Sequence, residues 1–272
     1  MKRREVEERL ALFEDLGGIL GAMRSFALAE LHRLMRREEA QQAVTEALGN
    51  ALDDLAPAVP TAPVASRDVW LLLGSVRGFC GTFNEDVVQR WREEGGTECP
   101  TVVVGERLGN LLPEGNSLVR VPGALGGLDA SAAIDRILTA VATARSGLDD
   151  ESGLVVCLRD MEGSRSQRLL PLPRPADGAA ESVLPYTQEP PSLLAMQVVQ
   201  QVLFHQLLAL VLRAVRVENH MRLLQMENAL EHLDRGQDEL ERQRNRLRQE
   251  EIVEEIEVMV SARRHAGWGA WD

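Results

Sequence analysis

Few residues in this chain have the type and spacing to do chemistry. The run Arg77-Gly78-Phe79-Cys80-Gly81 follows the apolar segment Val69–Leu73, and a glycine-rich turn after a buried strand is where backbone amides cradle phosphate. The glycines at 74, 78 and 81 do not fit G-x-G-x-x-G, however, and no G-K-S/T follows. The run therefore reads as a tight strand-to-helix turn. Cys80 has no histidine near it in sequence to take its proton, so it reads as a small packed residue and not a nucleophile. The histidines at 32, 205, 220, 232 and 265 show none of the i, i+4 pairing by which a helix holds a metal. Cys80, Cys99 and Cys157 are odd in number with no C-x-x-C spacing; neither a zinc site nor a disulfide framework is expected, and a reducing compartment fits. No cofactor, metal or catalytic residue is predicted.

Charge narrows the partners. The 272 residues carry 42 acidic and 30 basic side chains, for a net charge of −12. That sign disfavours nucleic acid and anionic membrane, both of which reward positive charge. Lys2 is the lone lysine, so the basic residues are otherwise arginine. The acidic run Glu250, Glu251, Glu254, Glu255 and Glu257 reads either as a solvated helix face or as a face opposite basic groups of a partner. Arg222 and Met226 are one helical turn apart and share a face, which predicts a structural contact between helices.

The elements that must position these residues fall into three parts: residues 1–56, 68–186 and 192–266. The first contains no proline, and its apolar residues Val6, Leu10, Phe13, Leu16, Leu20, Met23, Ala27, Leu31 and Leu34 step by three and four, one seam along a helix. Roughly 50 residues at 1.5 Å make a rod of about 75 Å. Gly17, Gly18 and Gly21 interrupt it, each costing about 1 kcal/mol relative to alanine, and Pro57, Pro60 and Pro63 end it. The middle part changes period. Short apolar runs at Val69–Leu73, Thr101–Val104, Leu118–Val121, Leu154–Leu158 and Arg168–Leu172 alternate with helical stretches at Asn84–Glu94, Glu106–Leu112 and Ala130–Arg145. This predicts a small parallel, Rossmann-like α/β sheet buried on both faces. Pro171–Pro191 reads as a loop.

The last part is proline-free, with Ser192 as its expected N-cap. Met226, Leu230, Leu233, Gln237, Leu240, Arg244 and Leu247 hold four-three spacing, a coiled-coil seam. A helix of more than about 100 Å must pair with another, and the N-terminal rod is the available partner. The fold expected is α/β plus long helices: an antiparallel coiled coil of the two terminal helices with the sheet domain inserted. The longer C-terminal helix is left with a bare end that needs an external sleeve. The most apolar stretch, Val198–Val217, is broken by glutamines, His205, Arg213 and Arg216, so no membrane span and no secretory signal are expected.

Four segments then resemble one family, the gamma subunits (central rotor shafts) of F-type ATP synthases. GILGAMRSFALAEL is similar to K-I-T-x-A-M-x-x-V-A-x-x-K at Ile19, Ala22, Met23 and Ala27. SVRGFCGTFN resembles S-D-R-G-L-C-G-x-x-N at Ser75, Arg77, Gly78, Cys80, Gly81 and Asn84. ENHMRLLQMENALEHL is similar to E-x-x-x-R-M-x-A-M-x-x-A, and RQEEIVEEIEVMVSA to R-Q-x-x-I-T-x-E-L-x-E-I-V-x-G-A. Their order and spacing agree along essentially the whole chain. The departures are local. Family lysines give way to Gly18, Gly21 and Glu30, the threonine to Val253, the closing Gly-Ala to Ala262 and Arg263, and the basic character to an acidic one. They fit a divergent member, of an alternative (N-type, sodium-translocating) branch; the coupling ion itself, H+ or Na+, would be set by the ring subunit.

The resemblance implies a non-catalytic subunit. Its coiled coil would sit in the cavity of a ring of α and β subunits, and its sheet domain would form a foot on a c-subunit membrane ring beside an epsilon subunit. The complex would lie on the cytoplasmic face of a bacterial inner membrane. Rotation would drive the catalytic sites through their conformations in turn. Carried over residue by residue, Met23, Arg248, Gln249 and Ile252 become contacts to the catalytic ring, with Arg263 and Arg264 either ring contacts or solubilising charges. Arg77, Gly78, Cys80, Gly81, Asn84, Arg222 and Met226 become structural. A coiled-coil adaptor with an embedded α/β domain is the alternative reading. A small-molecule enzyme would need converging acid, base or nucleophile groups, and none cluster beside the glycine run.

Overall fold

In a computed structural model the chain is described at residues 3–59, 67–113, 117–146, 148, 152–172, 184 and 186–266, with side chains described up to Arg263. Helix α1 is Arg3–Asp54 and helix α5 is Pro191–Ala266. Between them lie β1 (Asp68–Leu73), α2 (Phe83–Glu93), β2 (Thr101–Val104), α3 (Glu106–Leu111), β3 (Leu118–Val121), α4 (Ala130–Arg145), β4 (Gly153–Arg159) and β5 (Ser164–Leu170). The chain divides into two compact units, Met1–Phe26 with Leu224–Asp272, and Ala27–Leu223.

In the first unit two helical segments pair antiparallel: Arg3 bonds Glu251 at 3.0 Å and Arg24 bonds Glu227 at 3.0 Å. Val6 and Met226 are fully buried on the seam, and Leu230, Leu233, Gln237, Leu240, Arg244 and Leu247 are all half-buried. The heptad positions thus face the partner helix, as the spacing requires. Gly17, Gly18 and Gly21 do not break α1, which runs through them with open space where side chains would stand.

The second unit holds a five-stranded sheet in the order β3-β2-β1-β4-β5. The expectation of a parallel sheet holds for four strands and fails for β5, which pairs antiparallel with β4. The reason is the connection: β4 ends at Arg159 and β5 begins at Ser164, with Gly163 at φ +156° in the turn, a hairpin too short for a crossover helix. The expected fifth strand, Arg168–Leu172, starts four residues earlier than its apolar residues suggest, because Ser164–Arg168 is polar and pairs through its backbone. Alternate strand residues feed two cores. Val69, Leu71, Leu73, Val102, Val104, Leu154, Val156 and Leu158 pack with Ile134 and Ile137 of α4, Leu34 of α1 and Leu207, Leu208, Leu210, Val211, Leu212, Ala214 and Val215 of α5. Trp70, Leu72, Val103, Val155 and Cys157 pack on the other face with Val87, Val88 and Trp91 of α2 and Leu108 of α3.

One stretch of α5 reaches a mean hydropathy of 1.6, enough by length and composition for a membrane span. Its apolar character has a local cause, since Val202, Leu207, Leu208, Leu210, Val211, Leu212, Ala214 and Val215 are buried, most of them against the sheet. The helix starts one residue before Ser192: Pro191 is its first residue and the Pro190 carbonyl accepts the amides of Leu193 and Leu194 at 3.0 and 3.1 Å. A proline at the first helical position loses no hydrogen bond, which is why it displaces serine from the cap. The expected loop Pro171–Pro191 lies largely outside the described residues, as do Pro60 and Pro63.

Candidate functional site

The strand order reverses at β1, and the C-terminal end of β1 at such a switch point is where doubly wound sheets bind ligands. The loop Gly74–Thr82 stands there. Close packing shapes its entry: a Cβ on Gly74 would collide with Leu108 Cβ, and one on Gly105 (φ +100°) would lie 2.7 Å from the carbonyl oxygens of Gly74 and Ser75. Both glycines let backbones approach where no side chain fits.

The signature residues then tie the loop to itself. Asn84, in the first turn of α2, accepts the Ser75 amide at 2.9 Å and donates to Ser75 Oγ at 2.8 Å. Cys80 Sγ donates to Ser75 Oγ at 3.4 Å, and its apolar neighbours are Phe83, Val217 and Met221. Burial pushes the Cys80 thiol up from its ordinary value. This is a packed thiol, as expected from sequence. Phe79 at the loop's apex is 64% exposed with φ 60°, and Gly81 follows at φ 59°.

The loop's free amides are taken by α5. Glu218 accepts from the amides of Val76 (3.4 Å) and Arg77 (3.3 Å). Arg222, one turn on, donates to Glu218 Oε1 at 2.5 Å, to Asn219 Oδ1 at 2.9 Å and to the Gly78 carbonyl at 3.1 Å. Glu218, Asn219 and Arg222 are only 3–5% exposed. Burial pushes the Glu218 carboxyl up, while Arg222 and the two amides pull the other way. The chain's own Glu218 carboxylate therefore takes the amides that the loop after β1 offers at Val76 and Arg77. Residue types alone do not single out Glu218 and Asn219; the E-x-x-x-R spacing is the signal that could have found them.

Arg222 differs from expectation. Its place one turn from Met226 predicts a contact in the coiled coil, but its guanidinium bonds Glu218 and Asn219 of its own helix and the Gly78 carbonyl of the signature loop. A buried guanidinium needs acceptors, and each of its three nitrogens finds one among these. Arg77, Gly78, Cys80, Gly81 and Asn84 all lie in or beside this loop. Of the expected ring contacts, Met23 is half-buried, Arg248, Gln249, Ile252 and Arg263 are exposed, and the Arg264 side chain lies outside the described residues. Ile252, Val253, Ile256, Val258, Met259 and Val260 are 46–66% exposed, interleaved with Glu251, Glu254, Glu255 and Glu257.

Among the described residues no three metal-binding side chains come together.

A search of curated protein sequences gives no match. Among solved structures, the chain resembles one in the rotational state 3 OSCP/F1/c-ring structure of the Euglena gracilis mitochondrial ATP synthase, at 14% identity and a TM-score of 0.63 over 99% of this chain and 97% of that one. A second Euglena chain, from the rotor in rotational state 1, matches at 15% identity and TM-score 0.57, covering 92% and 98%. A chain of the central stalk and c-ring structure from Tetrahymena thermophila mitochondria matches at 16% identity and TM-score 0.55, covering 78% and 99%. At such identities the likeness speaks for the fold. The sequence itself matches the ATP synthase family over residues 2–264, and the chain belongs to that family, as one of its F1 gamma subunits.

Proposed function

We propose that the chain works as the central rotor shaft of an F-type ATP synthase, coupling ion flow through a membrane ring to conformational cycling of catalytic subunits in a surrounding α and β ring. In this reading residues 1–56 and 192–266 make the shaft, and residues 68–186 make the foot, which seats on the c ring beside an epsilon subunit. The complex is peripheral on the cytoplasmic face of a bacterial inner membrane. The chain has no reaction of its own.

One observation carries the reading beyond family membership. The end of α5 leaves six large apolar side chains, Ile252 to Val260, about half exposed or more. A 76-residue helix that exposes five of these side chains, Ile252, Val253, Ile256, Met259 and Val260, along one face calls for a partner to cover it, and a sleeve formed by a ring of other subunits is such a partner. Arg248, Gln249 and Ile252, at the base of that stripe, together with Met23, Arg263 and Arg264, are the proposed ring contacts.

The test is co-purification with the neighbouring ATPase α and β subunits, then native mass and ATP hydrolysis. One copy per three α–β pairs is expected, with hydrolysis that depends on the chain and is lost on truncating Arg248–Asp272. A truncated chain that assembles and couples like the full one would overturn the shaft assignment.

A further inference from the structure

The 27–54 portion of α1 has a thin apolar hold on its own unit. Its buried positions are Ala27, Glu30, Leu34 and Gln41, so half of them are polar. Apolar burial is non-directional, and one leucine with one alanine does not fix how a helix is rolled or slid on its support. Directional bonds must do that: Gln41 donates to the His205 carbonyl at 3.0 Å and Glu38 pairs with Arg213 and Arg216 of α5, and two further bonds converge on a single residue of the β3–α4 connection. Glu30 Oε1 accepts the Gly127 amide at 3.0 Å, while Arg37 Nη1 donates to the Gly127 carbonyl. Both polar groups of one peptide residue are thus held by side chains seven positions apart on one helix face.

The site is built for this approach. A Cβ on Gly126 would lie 2.5 Å from Glu30 Oε1, and one on Gly127 would lie 3.1 Å from both Leu34 Cδ2 and Arg37 Cδ. Arg33 reaches the other Glu30 oxygen at 3.5 Å, so the carboxylate, 9% exposed, is flanked by positive charge. A lysine at this position would not serve, since an ammonium has no lone pair with which to accept an amide proton.

We propose that Glu30 and Arg37 form a latch on Gly127 that fixes the rotational register of α1 on the sheet, making them positioning residues through which torque passes between the sheet and α1. This rests on the rotor reading. A latch matters little to an unloaded shaft and most when the shaft turns against resistance, which separates it from a residue that merely adds stability.

The experiment uses the assembled, membrane-reconstituted complex with wild-type chain, Glu30→Gln, Glu30→Lys, Arg37→Met and Gly126→Ala. Hydrogen exchange at the Gly127 amide reads the latch, and the ratio of ions pumped to ATP hydrolysed under a rising opposing gradient reads the load. Glutamine keeps an acceptor oxygen and should behave as wild type. Glu30→Lys should exchange roughly tenfold faster, the loss of one charge-assisted hydrogen bond, and its pumping ratio should fall at a lower opposing gradient while unloaded hydrolysis holds. Should Glu30→Lys fail to assemble, Gly126→Ala, which displaces the carboxylate without changing charge, and Arg37→Met carry the same expectation. Variants with faster exchange but a wild-type ratio at every gradient overturn the latch alone. An uncoupled wild-type complex overturns the rotor reading, and the latch with it.

Discussion

Arg222 Nη2 lies 2.5 Å from Glu218 Oε1, one turn apart on α5, and each residue is about nineteen-twentieths buried (5% and 4% exposed). Two charges so far from water stay together only if their remaining valences are filled. Here the amides of Val76 and Arg77 serve the carboxylate, and the Gly78 carbonyl and Asn219 Oδ1 serve the guanidinium. The glycine-rich run after β1 and the Glu218–Arg222 pair of α5 are therefore two halves of one structural cross-link.

The cross-link makes a prediction for a double-mutant cycle. Arg222→Met alone leaves a buried, uncompensated carboxylate and should destabilise the chain by about 3–5 kcal/mol. Glu218→Leu alone frees the loop amides and strands the guanidinium at a similar cost. The double variant should lose less than the sum of the singles, because each single already includes the charge left behind. Denaturant unfolding of the complex-incorporated chain measures all three. Additive losses would mean that the pair is not coupled.

The thiols give a pH-dependent prediction. Burial pushes Cys157 up to about 12 and Cys80 up as well, while Cys99 is only partly buried. At pH 8 a soluble alkylating reagent should modify Cys99 rapidly in the folded protein and the other two only on unfolding. The linkage has a definite sign. A thiol whose folded value is raised holds its proton more tightly when folded, so stability is intact below about pH 9. It falls as pH rises from there towards 12, the Cys157 value, because the unfolded chain ionises first. Mass spectrometry of alkylated peptides from pH 7 to 10 checks both, and early labelling at Cys157 would contradict the packing.

Much of the fold is legible in the sequence for a physical reason. Heptad spacing has only one way to be satisfied, so the seam from Met226 to Leu247 can be read directly. Apolar runs such as VWLLL can be covered on both faces only in a sheet flanked by helices. β5 escapes that reading because most of its length, Ser164–Arg168, is held by backbone pairing to β4 and shows no apolar pattern. Glu30 is visible only as a departure from lysine. Its partner is a backbone amide 97 residues away, and backbone partners leave no mark in residue type. The cross-link at Glu218 is half visible: the spacing of glutamate and arginine shows in the sequence, but their service to a loop 141 residues away does not.

The glycines separate two kinds of position that look alike in sequence. Gly17, Gly18 and Gly21 lie within α1 with nothing within 4 Å of an added Cβ. Alanine at each should stabilise the helix by about 0.5–1 kcal/mol, chiefly by restricting the unfolded chain. Gly74 stands directly against Leu108 Cβ, and Gly105 combines φ +100° with backbone oxygens at 2.7 Å. Alanine there must shift the β1 end or the α3 entry, and should cost at least about 2 kcal/mol. Gly236 is intermediate: its Cβ would meet Phe13 Cε2 at 2.5 Å, a ring on the partner helix that can turn aside. Gly236→Ala should therefore destabilise alone and recover with Phe13→Leu, which shortens the obstructing side chain. Thermal unfolding of this series orders the positions. If Gly236→Ala were as harmful in the Phe13→Leu background as with Phe13 in place, the contact between those two helices would not be what requires the glycine.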